Sequence, residues 1–549
     1  MGFLKIKLFE RNEVHENTPK EIYNYRIYLA AIVSSFAAVI IGYDAGFIGG
    51  TVALTSFMNE FGYSAMTSAE QTLIDANIVS VFQAGAYFGS FFIYPIGQKL
   101  GRRVGLIISG FFLVVGAGIS LASKSSVGLG PIYAGRVISG LGVGGCSSLA
   151  PIYVSEIAPP SIRGQLVGMY EIAWQVGGVV GYWINYGVST TMATSRSQWL
   201  IPFAVQLVPS GVFFIGLFFI PESPRWLYSE HKDAKARSNL AFLRNLPVDH
   251  EYIKYEVNNI ERSLEEHEAK IGRGFWAPFK YVFTSKQVMY RLLLSTSLFP
   301  MQNGSGINAV TYYSPTVFKS LGISGTNTSL LSTGIFGIIK ALSSLFWLFF
   351  IVDAVGRRAS LMYGSIPCCI CMWYIGAYIK VSDPAARLAA GDTEMNSAGK
   401  GALAMFYIWA FAFGISWNGN VWVYNSEIFD QSIRTLTQAI NASSNWFFAF
   451  IMGRFTGKMF TAMGYGVYFL FAGMMAVSPI VVFLFYPETK GIPLEGIDYL
   501  FEKGVPAWKA RDYALGMIRS EDEEIAYAEK ADVETVENLA AAETKEQMR

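Results

Sequence analysis

The chain has 549 residues, 52% of them hydrophobic, 15% aromatic and 15% charged, with a formal net charge of +1. A mean hydropathy of +0.34 is too high, and the charge content too low, for an ordinary soluble enzyme of this length. A polytopic membrane protein is the class that composition leaves.

Residues 1–26 are polar and form an N-terminal segment, after which the first apolar run is long enough to stay in the membrane instead of being cleaved as a signal peptide. Stretches of about 20 mostly apolar residues then recur, each long enough for a membrane helix. The first six fall near 27–47, 78–97, 104–123, 130–153, 166–186 and 200–220. A charged segment, 221–290, follows, with helix-like runs such as "HKDAKARSNLAFLRNL". Six more apolar stretches fall near 292–313, 329–351, 360–380, 402–424, 437–460 and 465–486. The reading is an all-α polytopic membrane protein of twelve transmembrane helices: an N-terminal six-helix half (27–220), a helical linker (221–290), a C-terminal six-helix half (291–486) and a tail (487–549) whose acidic end lacks a core of its own.

Sign of charge orients this arrangement. Residues 50–77 contain no Lys or Arg, whereas the segments after spans two, four, six, eight and ten carry Lys99, Arg102, Arg103, Arg163, a basic linker, Arg357, Arg358 and Arg434. The positive-inside rule places those segments and both termini in the cytoplasm, and the plasma membrane is the expected location.

Charged phrases repeat in order. "GQKLGRR" (Gly97 to Arg103) answers to "VDAVGRR" (Val352 to Arg358), "YVSEIAPPSIRG" from Tyr153 to "YNSEIFDQSIRT" from Tyr424, and "PESPRW" from Pro221 to "PETKG" from Pro487, offset by 255 to 271 residues. Two halves related by duplication are the organisation of a transporter that rocks one half against the other around a midplane site. Glu156, Arg163, Glu427 and Arg434 stand at helix ends where they can pair with Arg102, Arg103, Arg357 and Arg358. These eight groups, with Asp353, form an expected cytoplasmic latch that is made in one state and broken in the other. Gln98 and Lys99 replace the acid that Asp353 supplies in the second copy.

The four cysteines, Cys146, Cys368, Cys369 and Cys371, all fall in apolar spans. "CCIC" puts its thiols on different helix faces, so packing is expected, with no metal site, no cofactor and no disulfide framework. His15, His231, His250 and His267 lie outside the spans, so an intramembrane proton carrier has to be an acid. No Ser/His/Asp set is visible, and no enzyme activity is expected. Asn327 heads an "NTS" acceptor sequon near an external loop.

Together "GYDAGFIGG", "GRVISGLGVGG", "PESPRWL", the two "GRR" copies, "SGINAVTYYSP" and "PETKG" resemble the sugar porter family of the major facilitator superfamily, over nearly all of the chain except its tails. "YEIAWQVGGVVGYWINYGV", "QNGSGINAVTYYSPTVFKS" and "SWNGNVWVYNSEIFD" are similar to its fungal quinate permease branch. The resemblance implies a substrate site at Gln302, Asn303, Asn308, Trp422, Asn445 and Trp446, whose amides suit hydroxyl groups and whose indoles suit the face of a ring. It also implies proton coupling at Asp44 with Arg136. Asn418, Gly419, Asn420 and Val421 depart from the family's proline-containing stretch before Trp422. Glu171 replaces a usual Gln in span five, and Lys340 stands in span eight beside Ala341, which replaces a frequent Asn.

An ionisable group in mid-span costs about 2.5–3.5 kcal/mol on insertion scales, so Glu171 and Lys340 each need a partner. Three arrangements are open: Lys340 holding the carboxylate of an acidic substrate, Glu171 neutralising Lys340 in the empty site, or a permanent bridge with no role in binding. The expected function is import of quinate or a related polyhydroxylated acid with protons. A proton-coupled or facilitative hexose or pentose transporter is the alternative, and a nutrient sensor a further one. The expected partners are a small-molecule substrate, protons and the lipid bilayer, with no nucleic acid.

Overall fold

A computed structural model describes residues 18–520 apart from 324, 353, 391–394, 493 and 503. Among them there is no strand, only one isolated bridge between Lys124 and Gly128. Before the linker the long helices are α1 (Tyr25–Val52), α2 (Ser68–Lys99), α3 (Arg102–Ser120), α4 (Gly130–Ile157), α5 (Arg163–Thr191), and the consecutive α6 (Arg196–Val205) and α7 (Leu207–Gly216). The linker contributes α8 (Asp233–Arg244) and α9 (Glu251–Ile271). After it come α10 (Lys286–Gly304), α11 (Ile307–Ser320), α12 (Thr326–Phe346), α13 (Arg357–Ser382), α14 (Ser397–Phe413), α15 (Gly419–Glu427), α16 (Gln431–Met463) and α17 (Gly466–Phe485).

Local chemistry sets several starts. The Asn24 side chain caps α1 by accepting from the Arg26 N–H, and Thr67 with Glu70 forms a reciprocal capping box at the head of α2. Close helix contacts rest on small residues. Gly42 of α1 lies so near α5 that a Cβ there would sit 2.0 Å from the Trp174 carbonyl oxygen, and Gly144 of α4 stands in the same relation to Ala86 of α2. In lipid, where apolar surface gains nothing from leaving water, such backbone approach is what packs helices together.

Among the described residues nine helices, some of them two consecutive pieces, are long and apolar enough to cross a membrane. The expected spans missing from those nine are α5, the pair α10 and α11, and α16. These are the helices that carry Glu171, Gln302 with Asn303 and Asn308, and Asn445 with Trp446. All of them contribute polar side chains to a cavity inside the bundle.

Several expected single spans are interrupted. Span seven breaks at Ser305 and Gly306 between α10 and α11. A π-helical turn at Trp347–Ile351 continues α12, and another at Gly414–Asn418 joins α14 to α15. Wide turns of this kind concentrate at functional sites, because the extra residue re-aims side chains.

Candidate functional site

Within the bundle lies a cavity of about 80 Å³ that takes walls from both sides of the linker. All eight residues expected at a substrate site line it: Glu171, Gln302, Asn303, Asn308, Lys340, Trp422, Asn445 and Trp446. Chain breaks aim several of them. The Gln302 amide donates to the Trp417 carbonyl at 2.8 Å and the Asn418 carbonyl at 3.2 Å, both in the π turn. The Asn308 amide donates to the side-chain amide oxygen of Asn303 across the Ser305–Gly306 break. Trp422 packs edge-on against Phe299, and the Trp446 indole N–H reaches across to the Ser147 hydroxyl at 3.0 Å. The result is a small chamber with indole surface on one part and amides with both donors and acceptors on another, the chemistry that suits a polyhydroxylated ring.

Of the three open arrangements, a direct bridge between the two charges is not what this structure contains. Among the described residues no direct ion pair joins Glu171 to Lys340. Glu171 instead accepts from the Gln175 amide at 2.7 Å and the Asn418 amide at 2.8 Å, and Asn418 also donates to Ser344 at 3.1 Å. Two neutral amides thus hold the carboxylate, one from its own helix and one from beyond the linker. The Lys340 side chain is half-buried on the cavity wall, and no hydrogen bond to its ammonium is found among the described residues.

Asp44 and Arg136 pair with each other and are not among the residues that line this chamber. The guanidinium donates to both carboxylate oxygens, at 2.8 and 3.2 Å, and each residue is 2% exposed. Arg136 also donates to the Ile78 carbonyl at 2.6 Å and lies 4.5 Å from the centre of the Phe82 ring. Removing either partner would leave a buried, uncompensated charge.

At the linker end the repeated phrases repeat their main contacts position for position. Arg102 pairs with Glu156 at 3.1 Å, and Arg357 with Glu427 at 2.7 Å. Ser223 donates to Glu156 at 2.5 Å, and Thr489 to Glu427 at 2.6 Å. Arg103 and Arg358 use their side chains on the carbonyls of Leu217 and Phe218 and of Phe483. Their backbone N–H groups donate to Glu222 and Glu488, the acids of "PES" and "PET". The glycine of each "GRR" follows from this. Gly101 and Gly356 have φ of 107° and 97°, and a Cβ on them would sit 2.3 and 2.6 Å from those same carboxylates.

Arg163 and Arg434 do not join these clusters. Among the described residues no acceptor meets the Arg163 Nε or the Arg434 Nε, and Arg434 donates to the Phe429 carbonyl at 3.2 Å. Asp353 lies outside the described residues. The sequence reading missed Glu222 and Glu488 as latch acids, although their repeated motif was in plain view. It also missed Gln175, which stands four residues after Glu171 and therefore on the same helix face. Asn418 was noted only as a departure. Asn327, the sequon residue, lies in the first turn of α12 and accepts from the Ser189 hydroxyl at 2.5 Å.

Comparison with known proteins agrees with this architecture. Residues 30–501 match the family model described as sugar (and other) transporter. A probable quinate permease of Neosartorya fischeri is 52% identical over 506 residues, 92% of this chain and 93% of that one. The quinate permease of Emericella nidulans is also 52% identical over 506 residues, covering 92% and 94%. Among solved structures, the proton:xylose symporter XylE bound to 6-bromo-6-deoxy-D-glucose superposes with a TM-score of 0.69 at 26% identity, over 87% of this chain and 99% of that one. XylE from E. coli in a partially occluded inward-open conformation gives 0.69 at 25% identity, over 85% and 99%. The chain belongs to the sugar transporter family of the major facilitator superfamily, and is a multi-pass membrane transporter, not an enzyme.

Proposed function

We propose that this transporter imports quinate or a related polyhydroxylated carboxylate together with protons, by rocking residues 27–220 against residues 291–486 around the cavity. The observation that carries the reading is Lys340: an ammonium on the cavity wall with no hydrogen-bond acceptor among the described residues, in the same cavity as a carboxylate already held by two amides. A substrate carboxylate supplies the missing acceptor through a charge-assisted hydrogen bond, while hydroxyls meet the amides of Gln302, Asn303, Asn308 and Asn445. The quinate permeases at 52% identity support the cargo, and the proton symporter XylE supports the coupling.

The proton has two candidate carriers. An anion entering beside Glu171 brings two negative charges against one ammonium, and protonating Glu171 restores neutrality. Protonating Asp44 would release Arg136 from its two-point pair and change how α1 holds α4. In either case the anion and one proton move together with no net charge. The linker end, with its arginine latches, is the cytoplasmic end, both termini share that side, and the plasma membrane is the location.

Uptake of labelled quinate into cells expressing the chain, at several external pH values and with unlabelled glucose, xylose and galacturonate as competitors, tests this. Saturable quinate uptake that rises as external pH falls is the expected result. Neutral-sugar uptake with no quinate uptake would replace it with a monosaccharide porter.

A further inference from the structure

A larger cavity, about 340 Å³, lies at the linker end, apart from the substrate chamber. Its walls come from three parts of the chain: Arg163 before the linker, Arg225 and Arg244 within it, and Arg434 after it. Two acids, Glu156 and Glu256, also line it, but both are taken. Glu156 is held by Arg102 and Ser223, and Glu256 accepts from Arg244 at 2.8 and 3.1 Å. The nearby Asp430 pairs with Lys270 at 2.5 Å, and Glu427 with Arg357.

Among the described residues three guanidiniums, those of Arg163, Arg225 and Arg434, therefore face the cavity without an ion pair to a carboxylate. Arg225 donates to the Ser263 hydroxyl at 2.7 Å and Arg434 to a carbonyl, while the buried Nε atoms of Arg163 and Arg434 meet no acceptor. Like charges that line one cavity repel, and buried donors left unpaired are costly. Arginine stays charged, so an anion, and not proton loss, is the remedy.

We propose that this cavity is a binding site for a phosphate-bearing anion, which joins Arg163, Arg225 and Arg434 and thereby ties the two halves of the transporter to the linker. A monocarboxylate can answer one guanidinium. A phosphate group, with a charge of about −1.5 to −2 and three acceptor oxygens, can answer several at once. The exposed Tyr255 on the rim leaves a way in from solvent. Two sources share this chemistry, a soluble phosphorylated compound and a phosphorylated lipid headgroup. By bridging the halves, the bound anion slows their movement whatever the cargo.

The test uses the full-length chain purified in detergent, with thermal unfolding followed during titration with inorganic pyrophosphate. A parallel arm uses nanodiscs of phosphatidylcholine with and without phosphatidylinositol 4-phosphate. Arg163→Gln and Arg434→Gln are compared with Ser263→Glu, which places a tethered carboxylate beside Arg225 and spares the latch arginines. Saturable stabilisation by pyrophosphate, with its Kd raised at least about tenfold in each variant, supports a soluble ligand. Stabilisation by the phosphoinositide alone, lost in the same variants, supports the lipid source. No stabilisation in either arm, or stabilisation that Ser263→Glu leaves intact, overturns the proposal.

Discussion

Replacing Lys340 with Gln separates recognition from scaffolding. If the lysine served as a bridge to Glu171, the substitution would strand a buried carboxylate and cost about 3–5 kcal/mol of stability. The geometry argues otherwise, because Gln175 at 2.7 Å and Asn418 at 2.8 Å already hold Glu171 and no ion pair ties it to Lys340. Stability should therefore stay close to wild type. Binding of an anionic substrate should lose one hydrogen bond to a charged group, about 1.5–3 kcal/mol, or roughly 10- to 150-fold in apparent affinity. The assay pairs quinate uptake with thermal unfolding of the purified protein. A marked fall in unfolding temperature together with loss of all transport would refute the argument, as would unchanged quinate affinity.

Three further outcomes follow from the same contacts. Asp44→Asn should keep quinate exchange at equal concentrations on both sides but lose pH-driven accumulation; accumulation that persists would move the proton carrier elsewhere. Glu156→Gln removes one charge from the Arg102 pair while keeping its shape. It should weaken the linker-end latch and raise the reactivity of a cysteine placed in the substrate cavity toward reagents from that end, whereas unchanged labelling would speak against a latch. Gly144→Val puts side-chain carbon against the Ala86 carbonyl, where a Cβ alone would sit 2.0 Å away. Forced separation of α2 and α4 should cost about 1–3 kcal/mol or more and reduce folded yield, read by size-exclusion chromatography in detergent; normal yield would mean the helices can part freely.

What the sequence made legible, and what it hid, follows physical lines. The duplicated charged phrases were readable because their contacts repeat as well: Arg102 with Glu156 and Arg357 with Glu427 use the same positions of each copy. The cavity residues were reachable because family motifs mark positions on helices, and all eight face one chamber. Hidden from view were the places where the helix departs from its regular period. The π turns at Gly414–Asn418 and Trp347–Ile351 leave no mark in hydrophobic spacing, yet the first of them aims Asn418 at Glu171. Whether Glu171 and Lys340 touch depends on where long side chains end, which spacing along a chain does not specify. The unpaired state of Arg163 and Arg434 was equally out of reach, since it depends on Arg102 and Arg357 having claimed the acids first.

Coupling of an organic anion to a proton is most directly tested in proteoliposomes containing the purified chain and a trapped pH dye, with membrane potential clamped at zero. An inward gradient of quinate alone should acidify the lumen, because each anion that enters carries a proton with it, and Lys340→Gln should sharply reduce that signal. Acidification driven by xylose but not by quinate, or quinate entry with no change in lumenal pH, would contradict the account.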